Sequence, residues 1–267
     1  MLDAKNFVRV NNLQKNLWTR EEEIIVFNLY CKIPFQSSSK NHPEVVKIAK
    51  IIGRSPSAVN MKIGNFGSFD ENLKTKGIVG LKNASKLDEK IWNEFNNHWD
   101  ELSFESERLI KKFQGEKIFE ENLPVGKEKI VSVKQRVNQN FFRKSVLASY
   151  KNTCCITGLN TPELLIASHI KSWSVSNENE KTNPCNGLCL NALHDKAFDR
   201  GFLTVMPDFK IKISKNISDI YDGKSVEKFF KYYDGEKILL PEKFFPNEEF
   251  LIYHNENVFE NWKFWKF

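Results

Sequence analysis

A histidine closing one apolar run, an asparagine opening another, and a histidine–aspartate pair at a helix start are the residues here with chemistry to offer. Leu164 to Ile170 reads as a strand that carries His169 near its end. A polar loop, 174–184, follows, and Asn186 to Leu190 reads as a second short strand. His194 to Gly201 reads as a helix ended by glycine, with Asp195 and Asp199 one turn apart. Strand, loop, strand, helix in this order is the layout of a small metal-dependent nuclease module. Phosphodiester hydrolysis needs a base to activate water, and an imidazole with its ordinary pKa of about 6.5 suits neutral pH. It also needs a divalent cation to neutralise charge on the scissile phosphate and the departing oxygen. Oxygen ligands with one imidazole suit Mg2+ or Mn2+.

The elements that position this segment begin with a helical region, 1–119. Thr19 and Glu22 have the spacing of a capping box, and Ile24, Phe27 and Cys31 continue at helical steps until Pro34. Pro43 to Ile52 predicts a second helix, stopped by Gly53; Ser55 and Pro56 start a third. In that third helix Val59, Ile63 and Phe66 point inward and Ser57, Asn60, Lys62 and Asn65 outward. Helix, glycine turn and capped helix make a helix-turn-helix layout, whose second helix enters the major groove. Asn60 and Asn65 would then meet base edges, and Arg54 and Lys62 phosphates; the plain alternative is a helical hairpin with a solvated face. Leu87, Ile91, Phe95, Trp99 and Leu102 form one further apolar stripe of core type.

Residues 120–128, with Pro124 and Gly126, read as a linker to a second region, 129–267. Lys127, Lys129, Lys134, Arg136, Arg143, Lys144 and Lys151 gather around a helix expected from Asn138 to Tyr150, either a phosphate clamp or a solvated basic face. Phe202 to Ser214 reads as a scaffold hairpin turning at Pro207 and Asp208. His42, His98 and His254 have no partner residues in sequence and read as capping or packing groups.

The chain has 267 residues, 40% of them hydrophobic, and a net charge of +6, enough for two cores and compatible with a polyanionic partner. No apolar run reaches the roughly 20 residues a membrane helix needs, and the first residues lack the apolar centre of a secretory signal. Five cysteines at irregular spacing (Cys31, Cys154, Cys155, Cys185 and Cys189) argue against a disulfide framework and for a reducing cytoplasm.

The ordered motifs Cys155 to Gly158, Ala167 to Trp173, Asn186 to Leu190 and Leu193 to Gly201 resemble the ββα-metal fold of HNH endonucleases. In particular they resemble the bacterial restriction-type branch, and Leu239 to Pro241 and Phe250 to Asn255 share that resemblance. The resemblance spans about Val131 to Phe259. It implies an α+β protein: an N-terminal helix-turn-helix-like domain for DNA recognition and a C-terminal ββα-metal nuclease domain. It makes His169 the general base and Asn186 the residue whose amide fixes the loop that aims it. His194 joins these two as a catalytic residue, and His194, Asp195 and Asp199 are the metal positions. The register leaves open whether His194 or Asp195 is the main ligand. Arg136, Arg143, Lys171 and Arg200 are the phosphate contacts beside the centre. Two departures stand out. Ser168 occupies the position before the base, which is often acidic in HNH proteins. Gly158, Asn191 and His194 stand where many carry zinc ligands, so one Mg2+ or Mn2+ and no structural zinc are expected. The implied activity is metal-dependent cleavage of double-stranded DNA, in restriction or defence, by a homodimer if the site is symmetric. The alternatives are a non-cleaving DNA-binding regulator, a zinc-organised interaction module built on Cys154, Cys155, Cys185 and Cys189, and an RNA-cutting toxin.

Overall fold

The computed structural model describes residues 17–116, 127–220 and 223–260. Two hydrophobic clusters organise them, and one long helix belongs to both. In the first cluster, α1 (Arg20–Lys32) lies at the centre, with residues 24–27 almost fully buried. Its start is the capping box expected from the sequence: Glu22 N donates to Thr19 Oγ1 at 3.2 Å, and Thr19 N donates to Glu22 Oε2 at 2.9 Å.

Around α1 pack α2 (Pro43–Ile52), α3 (Pro56–Gly67), the short α4 (Glu71–Thr75), α5 (Lys86–Phe95) and α6 (Trp99–Phe113). The turn between α2 and α3 follows the sequence reading. Gly53 sits at φ +71°, a conformation that costs a side-chain-bearing residue, and Ser55 Oγ accepts from Ala58 N at 3.2 Å. The stripe from Leu87 to Leu102, expected on one helix, is divided between α5 and α6. Asn97 takes φ +70° and breaks the helical path, while Ile91, Phe95, Trp99 and Leu102 all still reach the core.

The expected linker, 120–128, lies outside the described residues except for its last two, which already belong to α7 (Lys127–Ser149). This helix runs well beyond the predicted Asn138–Tyr150. Successive residues serve different clusters: Phe141 packs with Trp99 and Phe244 in the first, Phe142 with Leu188 and Leu190 in the second. Side chains about 100° apart on a helix face different neighbours, so two adjacent aromatics can join two cores.

A second tie comes from far along the chain. Lys243 is fully buried, and its ammonium donates to the carbonyls of Tyr30 and Ile33 at the C-terminal end of α1. Those carbonyls have no helical partner, and the helix dipole favours a cation there. The neighbouring Glu242 accepts from Phe35 N, just past the same helix end.

The second cluster is built on β1 (Leu165–His169), α8 (Glu178–Thr182), β2 (Gly187–Asn191) and α9 (Ala192–Asp199). Strands β1 and β2 are antiparallel, with Ser168 opposite Leu188 and His169 opposite Gly187. A hairpin, β3 (Leu203–Val205) with β4 (Ile211–Ile213), pairs Leu203 with Ile213 as the alternation of apolar residues predicts. Beyond it come α10 (Lys215–Ile220), α11 (Lys224–Phe229) and α12 (Glu248–Asn257), which covers the hairpin. The described residues are α+β, with two small antiparallel sheets among them.

Candidate active site

The centre of interest lies where β1 ends, between α7 and α9. Gly187 explains how it closes. A methyl at this position would lie 2.3 Å from Val146 Cγ2 and 3.1 Å from Phe142 Cζ, so only glycine lets β2 press against α7. The close approach carries Phe142 under the histidine opposite. The His169 ring stacks on Phe142 with centroids 3.7 Å apart and an interplanar angle of 9°, and Trp173 meets it edge-on at 5.6 Å.

His169 is oriented by the backbone. Its Nε2 lies 2.9 Å from the carbonyl oxygen of Lys181. A carbonyl only accepts, so Nε2 carries the hydrogen and Nδ1 keeps its lone pair. Nδ1 makes no hydrogen bond with any described residue. Burial pushes the ring pKa below its ordinary value, with the Lys181 carbonyl opposing, so the neutral form prevails at neutral pH. A neutral imidazole with one nitrogen anchored and the other open is what a general base needs.

The anchor is itself held. Asn186 is fully buried and ends the turn before β2. Its Oδ1 accepts from Lys171 N at 2.8 Å, and its Nδ2 donates to the carbonyls of Lys171 and Glu180, each at 3.1 Å. That clips the segment carrying Lys181 to the end of β1. Lys171, expected on DNA phosphate, instead pairs with Glu180 at 2.7 Å and lies over the Tyr253 ring. It braces the same segment from within the protein.

Across the site, Asp195 and Asp199 stand one turn apart on α9, where spacing of i and i+4 places side chains on one face. Both carboxyl pKa values are raised. For Asp195 burial is the cause, opposed by the Ser168 hydroxyl and then Lys196; for Asp199 it is burial and then the charge of Asp195. Ser168 Oγ is buried close to the Asp195 carboxyl but makes no well-formed hydrogen bond with any described residue. Ser168 and His169 are consecutive at the end of β1, so the hydroxyl that acts on the Asp195 carboxyl and the imidazole come from the same strand end.

A hard divalent cation fits this donor set. Two carboxylates one turn apart, Asp195 half-buried beside the Ser168 hydroxyl and Asp199 more exposed, repel each other and are stabilised by positive charge. Among the described residues no three or more His, Cys, Asp and Glu side chains are grouped to hold a metal. The protein would therefore supply a pair of carboxylates and leave most positions to water and phosphate oxygens, the usual manner of binding Mg2+.

His194 does not belong to this set, which corrects the expectation that it is a catalytic residue and a ligand. The ring is buried, its Nε2 lies 2.8 Å from the carbonyl oxygen of Phe229, and its Nδ1 lies 3.1 Å from Asn191 Oδ1. Adjacent helix positions point about 100° apart, so Asp195 faces β1 while His194 turns to Phe230 and Tyr233. Asn191 ties this knot together. It caps α9 through Leu193 N and His194 N and donates to Thr157 Oγ1 at 3.2 Å and Cys154 Sγ at 3.7 Å. The thiols of Cys155 and Cys189 are buried and their pKa values raised by burial, Cys189 to about 12.

The supposed recognition helix is also corrected in part. Lys62, expected outside, is buried and pairs with Glu23 at 2.9 Å and Asp88 at 2.6 Å. Asn65 Nδ2 donates to Asp88 Oδ2 at 3.0 Å. Arg54 holds Glu22 through two bonds of 2.9 and 2.8 Å and stacks over Trp18. Asn60 is half-buried. The polar face of α3 thus closes onto α1 and α5 instead of opening to a groove. Of the cations expected beside the nuclease centre, Arg136 and Arg143 are exposed on α7, and Arg200 is half-buried just after α9.

Residues 154–206 match the family model described as HNH endonuclease. Over this segment the chain is similar to HNH endonucleases. The match covers β1, β2, α9 and the first strand of the following hairpin, the elements that carry His169, Asn186, Asp195 and Asp199. It leaves out the helices around α1. No curated protein matches the chain. No described helix is long and apolar enough to cross a membrane.

Two contributors to this site were not anticipated: the Lys181 carbonyl and the Phe142 ring. The first had a readable signal. Asn177 and Glu180 have capping-box spacing, and both reciprocal bonds form at 2.9 Å to start α8 inside what reads as plain loop.

Proposed function

We propose that this protein is a metal-dependent DNA endonuclease in which His169 is the general base and Asp195 and Asp199 hold one Mg2+ or Mn2+. The observation that carries the reading is the His169 ring itself, its Nε2 committed to the Lys181 carbonyl and its Nδ1 open, within the segment similar to HNH endonucleases. Nδ1 takes a proton from the attacking water. The bound cation would neutralise charge on the scissile phosphate and the leaving oxygen. Asn186 is a positioning residue that acts through the Lys181 segment. The Ser168 hydroxyl, in place of an acidic side chain, supports a water-rich ion held chiefly from α9.

Arg136 and Arg143, seven residues apart and exposed on one side of α7, are suited to duplex phosphates. Restriction of foreign DNA is the biological role we favour, from the likeness of the motif series to restriction-type HNH proteins. The test is nicking of supercoiled plasmid by purified protein with Mg2+ or Mn2+ and with chelator. Metal-dependent nicking that disappears in His169→Ala supports the reading. DNA binding with no nicking under any metal would replace it with a non-cleaving regulator.

A further inference from the structure

On the side of α7 away from His169, a cleft of about 510 Å³ opens between α1, α2, α6 and α7. Counting about 100° per residue from Phe142, which carries the His169 ring, Asn140 and Lys144 lie about 160° round the helix. Both line this cleft, so it is separate from the nuclease centre.

Its polar lining has a repeated form. Asn28 and Lys32 stand one turn apart on α1, and Asn140 and Lys144 one turn apart on α7. Spacing of i and i+4 stacks each amide beside its ammonium on one face. Asn28 is 3% exposed, yet its Nδ2 has no acceptor among the described residues. Neither Lys32 nor Lys144 is within ion-pairing distance of a described carboxylate. Lys32 lies over the Phe141 ring at 5.4 Å. Its pKa falls to about 8, chiefly through burial and next through the charge of Lys144. Four cations line the cleft (Lys32, Lys47, Arg143 and Lys144) against two carboxylates, Glu44 and Glu107. Leu29, Ile48, Ile51 and Ile110 supply apolar wall.

Two ammonium groups that line one cleft without a carboxylate partner call for an anion between them. An orphaned buried amide donor calls for an acceptor, and the apolar wall for a flat or hydrophobic body. We propose that this cleft is a binding site for a nucleotide-sized phosphorylated ligand, its phosphate between Lys32 and Lys144 and a polar acceptor of its base on Asn28. The site is independent of whether the HNH-like segment cuts DNA. The phosphate could be that of a free nucleotide or of a nucleic-acid strand, and we assign it to the former, because the lining amide is buried.

The test is calorimetric titration of the full chain with common nucleoside 5′-monophosphates, the matching nucleosides, inorganic pyrophosphate and a short DNA duplex. A nucleotide is expected to bind in one-to-one ratio and its nucleoside at least about tenfold more weakly. Lys144→Glu and Asn28→Leu should each weaken the nucleotide by about tenfold, the loss of one charge-assisted or buried hydrogen bond. Lys144 is exposed, so that variant stays folded even if changes at the buried positions do not. Pyrophosphate binding without nucleotide binding would overturn the base half of the proposal. No saturable binding of either, or binding indifferent to Lys144→Glu, would overturn it entirely. Binding of the duplex alone, weakened by Lys144→Glu, would also overturn it and give the cations to DNA.

Discussion

Replacing Asn186 with alanine removes three hydrogen bonds from a fully buried position, two to carbonyls and one from an amide. At a net worth of about 0.5–1.5 kcal/mol each, the loss is roughly 3 kcal/mol in total. With a denaturant slope of about 3 kcal/mol/M, the urea midpoint should fall by about 1 M. The same change frees the segment carrying the Lys181 carbonyl, so His169 loses its fixed tautomer. Plasmid nicking, measured at low denaturant and a temperature where the variant is folded, should fall on the order of 10- to 100-fold, part of what a positioned base supplies. Asn186→Asp separates the two effects. It keeps the acceptor for Lys171 N but turns a carboxylate toward two carbonyls, so stability should fall while nicking falls at least as far as in the alanine variant. An Asn186→Ala protein with the parent urea midpoint would refute the clip. One that is destabilised yet nicks at the parent rate would refute its link to the base.

Other perturbations distinguish the remaining parts. His194→Gln should keep metal-dependent nicking and lower the thermal midpoint by about 3 °C or more through its lost Phe229 bond, whereas Asp195→Asn should abolish nicking. Because burial raises the Asp195 carboxyl pKa, removing its charge should leave stability unchanged or improved; the reverse pattern of nicking would restore His194 as the ligand. Lys62→Met strands Glu23 and Asp88 in the core and should cost about 3–5 kcal/mol in denaturant unfolding, while DNA affinity measured at fixed salt stays put. A loss of affinity at unchanged stability would return Lys62 to the DNA. Stability against pH should show two opposed slopes. Burial pushes His254 down to about 3, so its contribution is complete above pH 6.5 and is lost as pH falls toward 3. Burial pushes Glu23 up to about 7, so its contribution is complete below pH 4.5 and is lost as pH rises to 7. Between pH 4.5 and 6.5 the two offset, and Glu23→Gln should expose the His254 slope, up to about 1.4 kcal/mol per pH unit. Chemical unfolding of both proteins across that range checks it, and parallel curves would contradict the assignment.

The order of elements around the site was legible because each had a local marker. His169 closes a strand-length apolar run, Asn186 precedes another, and Gly201 stops the helix holding Asp195 and Asp199. Caps at Thr19 and Ser55 marked two helices further upstream for the same reason: they depend on residues three positions apart. What could not be read depends on distant partners. Lys62 at helical spacing looks like a surface residue until Glu23 and Asp88, far away in sequence, are brought beneath it. His194 and Asp195 are adjacent and both suited to a cation, and only the position of the Phe229 carbonyl decides which turns inward. The bond from Lys181 to His169 uses a backbone oxygen, which no side-chain pattern encodes. Lys243 likewise reaches the end of α1 across most of the chain, so the union of the two regions left no mark in composition.

The most direct test of the central claim separates holding the cation from activating water. Binding of Mn2+ to the protein, followed by electron paramagnetic resonance, would be compared with plasmid nicking for His169→Ala, Asp195→Asn and Asp199→Asn. His169→Ala is predicted to bind Mn2+ as the parent does and to have lost nicking, while both aspartate variants lose the ion and the activity together. Unchanged Mn2+ binding in both aspartate variants, or undiminished nicking by His169→Ala, would contradict the account.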